Sequence, residues 1–84
     1  MNRTKKIENI LKKEFSDFSL NIIDDSDSHI GHDNFNGNGE THIIVELERL
    51  LNFKINRLEI HKKINFLLKE EFKLGLHSLQ IKII

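Results

Sequence analysis

The chain has 84 residues, no cysteine, and 13 basic against 13 acidic side chains. This length suits one domain, and the lack of cysteine excludes disulfides, thiolate zinc sites and cysteine nucleophiles. No apolar run approaches the roughly 18 residues of a membrane span and the N-terminus lacks a signal-peptide core, so we expect a cytoplasmic protein without membrane contact.

The first half of the chain predicts a helix, a strand and a long loop. Ile7, Ile10 and Leu11 have the spacing of an amphipathic helix, which we predict over residues 4–15. The apolar, partly β-branched run at 18–23 predicts a strand. Residues 24–41 are rich in Asp, Asn, Ser and Gly and therefore predict a loop. Loops longer than about 12–15 residues are often functional, so this loop is the first place to look for a site.

The second half predicts a strand, a helix and another strand. Alternating apolar residues indicate a half-buried strand at 42–48. Residues 49–56 fit either a short helix or a turn. An apolar stripe predicts a helix over 57–72, and Gly75 suits its C-terminal end. Alternation resumes at 76–83, which predicts the last strand.

These elements predict one α+β domain over residues 1–84, with the order αββααβ if 49–56 holds the short helix. Two strands joined by a loop form a hairpin, whereas a strand that follows a helical crossover can lie parallel to its neighbour. We therefore expect a three-stranded mixed sheet with helices on one face. This topology is similar to that of class II KH domains.

Five histidines are the metal ligands of greatest interest, and each has an ordinary structural interpretation. His42 fits a polar strand end bonded to backbone, and His61 fits a half-buried helix residue. His77 is in phase with the apolar face of the last strand, which on its own slightly favours a packed structural role. His29 and His32 fit solvated loop residues, because His-x-x-His is a weak metal signal without further ligands.

Enzyme motifs are missing from the sequence. There is no nucleophile elbow, Gly-rich phosphate loop or HExxH helix. The Asp24-Asp25 pair fits a solvated turn. We therefore expect a protein that is not an enzyme.

Nucleic-acid binding is the main alternative function. Residues 54–73 hold six basic and three acidic side chains on a helix that follows a possible short helix, as in helix-turn-helix proteins. In this interpretation the chain is a DNA-binding transcriptional regulator that uses the 57–72 helix, with Lys62, Lys63 and Lys69 on phosphates. A Gly-x-x-Gly clamp and a set of stacking aromatics are both missing.

Four stretches, in order and at compatible spacing, resemble the BolA-like protein family over roughly residues 5–83. They are Asp24-x-Ser26-x-x-His29, Glu40-Thr41-His42, Leu58-x-x-His61-x-x-Ile64 with Leu68-x-Glu70-Glu71, and Leu76-His77-Ser78-Leu79-x-Ile81. Two departures from the family pattern are Ile60 before the helix histidine and Asn52-Phe53-Lys54 in place of Phe-x-Gly. Both weaken the nucleic-acid interpretation more than the fold prediction.

The resemblance implies an adaptor in iron–sulfur cluster maturation, cluster trafficking and iron regulation. It implies a heterodimer with a monothiol glutaredoxin around a shared 2Fe–2S cluster, with no cofactor on the chain alone. His77 would be one ligand and His29 the second, with His32 as competitor, which places the chain in the His-loop subtype. The partner would supply its active-site cysteine and a bound glutathione.

The resemblance leaves other partners open. Iron–sulfur recipient proteins and weak DNA binding are both compatible with it. We expect the free chain to be a monomer or a weak homodimer.

Overall fold

The computed structural model describes residues 2–25 and 41–84. The elements are, in order, α1 Arg3–Glu14, β1 Phe18–Asp24, β2 His42–Arg49, α2 Arg57–Leu67, α3 Lys69–Lys73 and β3 Ser78–Ile83. The strands form one sheet in the order β1-β2-β3. β1 is antiparallel to β2 and β3 is parallel to it. The predicted α+β class with a three-stranded mixed sheet is therefore confirmed.

The core lies between the helices and one face of the sheet. On β2, Ile43, Val45 and Leu47 are fully buried, and the residues between them point to the other face. The rest of this core comes from buried residues of α1, α2 and the turns that follow the helices, namely Ile7, Leu11, Phe15, Ile64, Leu68 and Leu76. Burying one such aliphatic side chain contributes about 1.5–3 kcal/mol, so the alternation in β2 fixes which face the helices cover.

Asparagine side chains cap the N-terminal ends of the two longer helices, α1 and α2. The Asn2 side chain accepts a hydrogen bond from the amide of Lys5 at 2.8 Å. The Asn56 side chain accepts one from the amide of Glu59 at 3.1 Å. Each cap satisfies a backbone donor that has no partner inside its helix, which explains why the helices begin where they do.

The prediction of one continuous helix over residues 57–72 is wrong, because the structure has two helices there. The chain leaves helical geometry at Leu68, whose ψ is 10°, and resumes in the short helix α3. No Gly or Pro marks this break in the sequence. It lies where tertiary contacts dominate, because Leu68 is fully buried and the Glu71 carboxylate is bound by cations of α1.

The short helix considered within 49–56 is not present, since residues 50–56 contain neither helix nor strand. Phe53 instead packs edge-on against Phe18, with ring centroids 5.5 Å apart. The Arg49 Nη1 group donates to the carbonyl of Phe53 at 2.7 Å. These two contacts hold the connection against β1 and β2. The order αββααβ is observed, but its two adjacent helices are α2 and α3, which are separated by the break at Leu68.

β3 begins at Ser78, two residues later than predicted, because the helix exit occupies the residues before it. Gly75 adopts a φ of +117°, which glycine accepts more readily than residues with a Cβ. The amide of Leu76 then donates to the carbonyl of Glu71 at 2.9 Å, as in a Schellman motif. Leu76 is 3% exposed and fills the core. Only after it does the chain enter the sheet.

Candidate functional site

Two histidines meet where the parallel strands β2 and β3 begin. The register pairs His42 with Ser78, which places His77 beside His42 at the same edge of the sheet. Their ring centroids are 6.1 Å apart, with an angle of 58° between the ring planes. We call His42 and His77 the histidine pair.

His77 is exposed to solvent, so the interpretation of it as a packed structural residue is wrong. The reason is that Leu76, rather than His77, fills the core before the strand begins. The backbone of His77 is nevertheless fixed, because its amide donates to the carbonyl of Thr41 at 2.8 Å. The sheet therefore holds the main chain while the imidazole faces outward.

His42 is half-buried and held through its ring. Its Nδ1 atom is hydrogen-bonded to the Thr41 hydroxyl at 2.9 Å, and its carbonyl accepts the amide of Asp25 at 2.8 Å. Thr41 is buried, with 4% of its surface exposed. In the tautomer in which Nδ1 carries the proton and donates it to the Thr41 hydroxyl, Nε2 has a lone pair that can bind a metal.

Sequence reasoning did not place His42 in a site. It expected the side chain to bond to backbone, whereas the ring bonds to the Thr41 hydroxyl. The signal that finds His42 is the parallel register of β2 and β3, which no local pattern provides.

The predicted loop ligands His29 and His32 lie outside the described residues. The described residues that flank their segment, Asp25 and Thr41, nevertheless contact the histidine pair. The chain leaves β1 at Asp25, which bonds to His42, and returns at Thr41, which bonds to both histidines. The described residues on either side of this segment, Asp25 and Thr41, therefore lie at the edge of the sheet where His77 lies.

The histidine pair supplies two nitrogen donors. Within residues 2–25 and 41–84, no group of three or more His, Cys, Asp or Glu side chains is placed to hold a metal ion. Two imidazoles, one at the start of β2 and one just before β3, suit a metal centre whose remaining positions are filled from elsewhere.

The other predicted site is the nucleic-acid site on the 57–72 helix. His61 is exposed on α2, so its assignment as a half-buried residue is wrong. The Lys63 ammonium group lies 3.0 Å from the Glu14 carboxylate. The Lys69 ammonium group lies over the ring of Phe66, 4.3 Å from its centroid. Two of the three lysines predicted to contact phosphate thus have partners within the chain.

Comparisons with known proteins agree on one family. The family model described as BolA-like protein matches residues 2–84. A protein of a Sinorhizobium species from the cobS 5′ region is 36% identical over 83 residues, covering 98% of this chain and 89% of that protein. The chloroplastic protein BOLA1 of Arabidopsis thaliana is 34% identical over 82 residues, covering 95% of this chain. The chain spans about half of BOLA1, at 51% of its length.

Solved structures from Arabidopsis thaliana have the same fold. The BolA domain of SufE1 superposes with a TM-score of 0.78 at 31% identity, covering 99% of this chain and 91% of that one. BolA1 superposes with a TM-score of 0.77 at 33% identity, with coverage of 99% and 90%. In the part of the chain that the structure describes, no helix is long and apolar enough to cross a membrane.

Proposed function

The chain belongs to the BolA-like protein family, and from this premise we propose that it is a non-enzymatic adaptor in iron–sulfur cluster maturation and trafficking. It shares a 2Fe–2S cluster, as cargo, with a monothiol glutaredoxin. The histidine pair is the observation that carries this proposal. The centroids of its rings are 6.1 Å apart, at the edge of the sheet where Asp25 and Thr41 also lie.

The donor chemistry of the pair suits half of a cluster site. Two imidazoles can replace two thiolates on one iron of a 2Fe–2S cluster, as in Rieske centres. The other iron requires thiolates, which a chain without cysteine does not provide. A partner with a cysteine and bound glutathione supplies the missing donors. The cluster then joins two proteins, neither of which holds it alone.

His77 is the anchor of the proposed ligand set. Its amide is bonded to Thr41 and its ring is exposed, so it presents an imidazole from a fixed backbone. His29 is the second donor by resemblance, with His32 as its competitor. His42 adds a third candidate that the geometry favours, because its ring already lies beside that of His77. We propose that His42 donates when the loop histidines are withdrawn, as cluster transfer requires ligands to exchange.

The test is the visible absorption and circular dichroism spectrum of the chain co-purified with a monothiol glutaredoxin. The wild-type complex is expected to show a cluster with mixed histidine and thiolate ligands. His77→Ala should abolish that spectrum while the chain stays folded. His61→Ala is the matched control, because His61 is an exposed histidine on α2. An unchanged spectrum and cluster lifetime in the His77→Ala complex would assign the cluster to the glutaredoxin alone.

A further inference from the structure

A partly buried ion-pair network joins α1 to the residues that precede His77. Arg3 Nε donates to Glu71 Oε1 at 3.0 Å, and Lys6 Nζ lies 2.9 Å from Glu71 Oε2. Arg3 Nη2 also donates to the carbonyl of Leu74 at 2.9 Å. Arg3 thus binds two points of the same segment, the carboxylate on α3 and the carbonyl at its end.

This network lies mostly out of solvent. The side chain of Glu71 is 5% exposed and that of Arg3 16%, whereas that of Lys6 is 41% exposed. A buried carboxylate needs a partner, yet a buried ion pair adds little net stability once its desolvation is counted. Such a pair instead fixes the position of one element relative to the other, here of α1 relative to α3.

The three residues from Leu74 to Leu76 connect this network to His77. The Leu74 carbonyl is held by Arg3, and Gly75 turns the chain with a φ of +117°. The Leu76 amide is held by the carbonyl of Glu71, and the His77 amide by that of Thr41. The segment is therefore fixed from α1 on one side and from the sheet on the other.

We propose that Arg3 and Glu71 are positioning residues, which set the place of His77 relative to His42. The functional meaning of this inference rests on the proposed role of His77 as a cluster ligand. The positioning itself depends only on contacts within the chain, so it can be tested without a partner.

Two substitutions separate positioning from simple stabilisation. Arg3→Lys keeps the charge beside Glu71, but an ammonium lacks the planar fork that binds the carboxylate and the Leu74 carbonyl together. Lys6→Met removes the other cation and leaves the Arg3 bond to Leu74 intact. Glu8→Gln is the surface control, since it breaks only the exposed Lys5–Glu8 pair of α1.

The first measurement is amide hydrogen exchange in the free chain. Arg3→Lys should speed exchange at Leu76, His77 and Ser78 by about tenfold more than at Val45 in the sheet, because local opening then precedes global unfolding. Nuclear Overhauser contacts between the rings of His42 and His77 should weaken in parallel. Lys6→Met should change exchange evenly along the chain, and Glu8→Gln should leave it unchanged.

The second measurement is the cluster lifetime in the complex with glutaredoxin. It should be shorter for Arg3→Lys than for Lys6→Met when both are compared at matched free energies of unfolding. Exchange that rises evenly along the Arg3→Lys chain would overturn the positioning role, as would equal cluster lifetimes in the two variants. A wild-type complex without a histidine-ligated cluster would refute the proposed function, while the exchange data would still decide the positioning.

Discussion

The backbone carbonyl of Thr41 accepts the amide of His77 at 2.8 Å, so the residue before β2 fixes the main chain of the histidine before β3. The same residue holds His42 through its side chain, with 2.9 Å between the hydroxyl oxygen and Nδ1. One buried threonine therefore connects both members of the histidine pair. A substitution can remove the hydroxyl and leave the carbonyl in place, because only the hydroxyl belongs to the side chain.

Thr41→Val should release the His42 ring and leave the bond to His77 in place. Valine keeps the shape of threonine but removes the hydroxyl, which should lower the free energy of unfolding by about 1 kcal/mol. The tautomer of His42, measured by ¹⁵N NMR of the imidazole, should change as well. Thr41→Ser is the matched control, because it retains the hydroxyl. An unchanged tautomer in Thr41→Val would show that the hydroxyl does not orient the ring.

The α+β class was predictable because it depends on local patterns. The alternation at Ile43, Val45 and Leu47 identifies β2 and its buried face, and the spacing of Ile7 and Leu11 identifies α1. Each pattern is complete within one element, so no knowledge of its neighbours is needed. This is why α1 and the three strands could be predicted from the sequence.

The site was less predictable because it depends on contacts between elements. His42 joins His77 only through the register of β2 with β3, and β3 begins at Ser78 only because Leu76 is drawn into the core. The break at Leu68 likewise precedes α3, in which Glu71 meets cations from the other end of the chain. None of these contacts has a signal within a window of neighbouring residues.

Gly75→Ala should destabilise the chain by about 1–3 kcal/mol, because a residue with a Cβ is strained at the observed φ of +117°. Steric overlap is not the cause, since a Cβ there would lie 3.6 Å from Arg3 Nη2. The midpoint of urea unfolding measures the effect. Leu74→Ala is the neighbouring control and should change stability by no more than about 0.5 kcal/mol, as is usual at exposed positions. Equal midpoints for the two variants would contradict the strain argument.

DNA binding by α2 should be weak and non-specific. Affinity that rests on surface lysines falls steeply with salt, and we expect binding to disappear by roughly 0.15 M. Lys62→Glu with Lys63→Glu should reduce it no more than Lys12→Glu with Lys13→Glu on α1, as measured by fluorescence anisotropy with random and promoter DNA. Sequence-selective binding that survives physiological salt and is lost only in the α2 variant would restore the regulator interpretation.

The second ligand of the proposed shared cluster can be identified by removing the candidates in order. His29→Ala should shorten the lifetime of the shared cluster. His29→Ala with His32→Ala should retain a labile cluster, because the His42 ring lies 6.1 Å from that of His77 and offers a nitrogen of the same kind. Adding His42→Ala should leave His77 as the only imidazole ligand from this chain.

Pulsed electron paramagnetic resonance of the reduced complex counts the nitrogen ligands directly. The wild type and the variant that lacks both loop histidines should each show two strongly coupled nitrogens, and the triple variant one. His29→Cys should keep the cluster and lower its reduction potential, because thiolate donates more charge than imidazole. Two coupled nitrogens in the triple variant would refute a role for all three candidates. One coupled nitrogen in the variant that lacks only the loop histidines would show that His42 does not replace them.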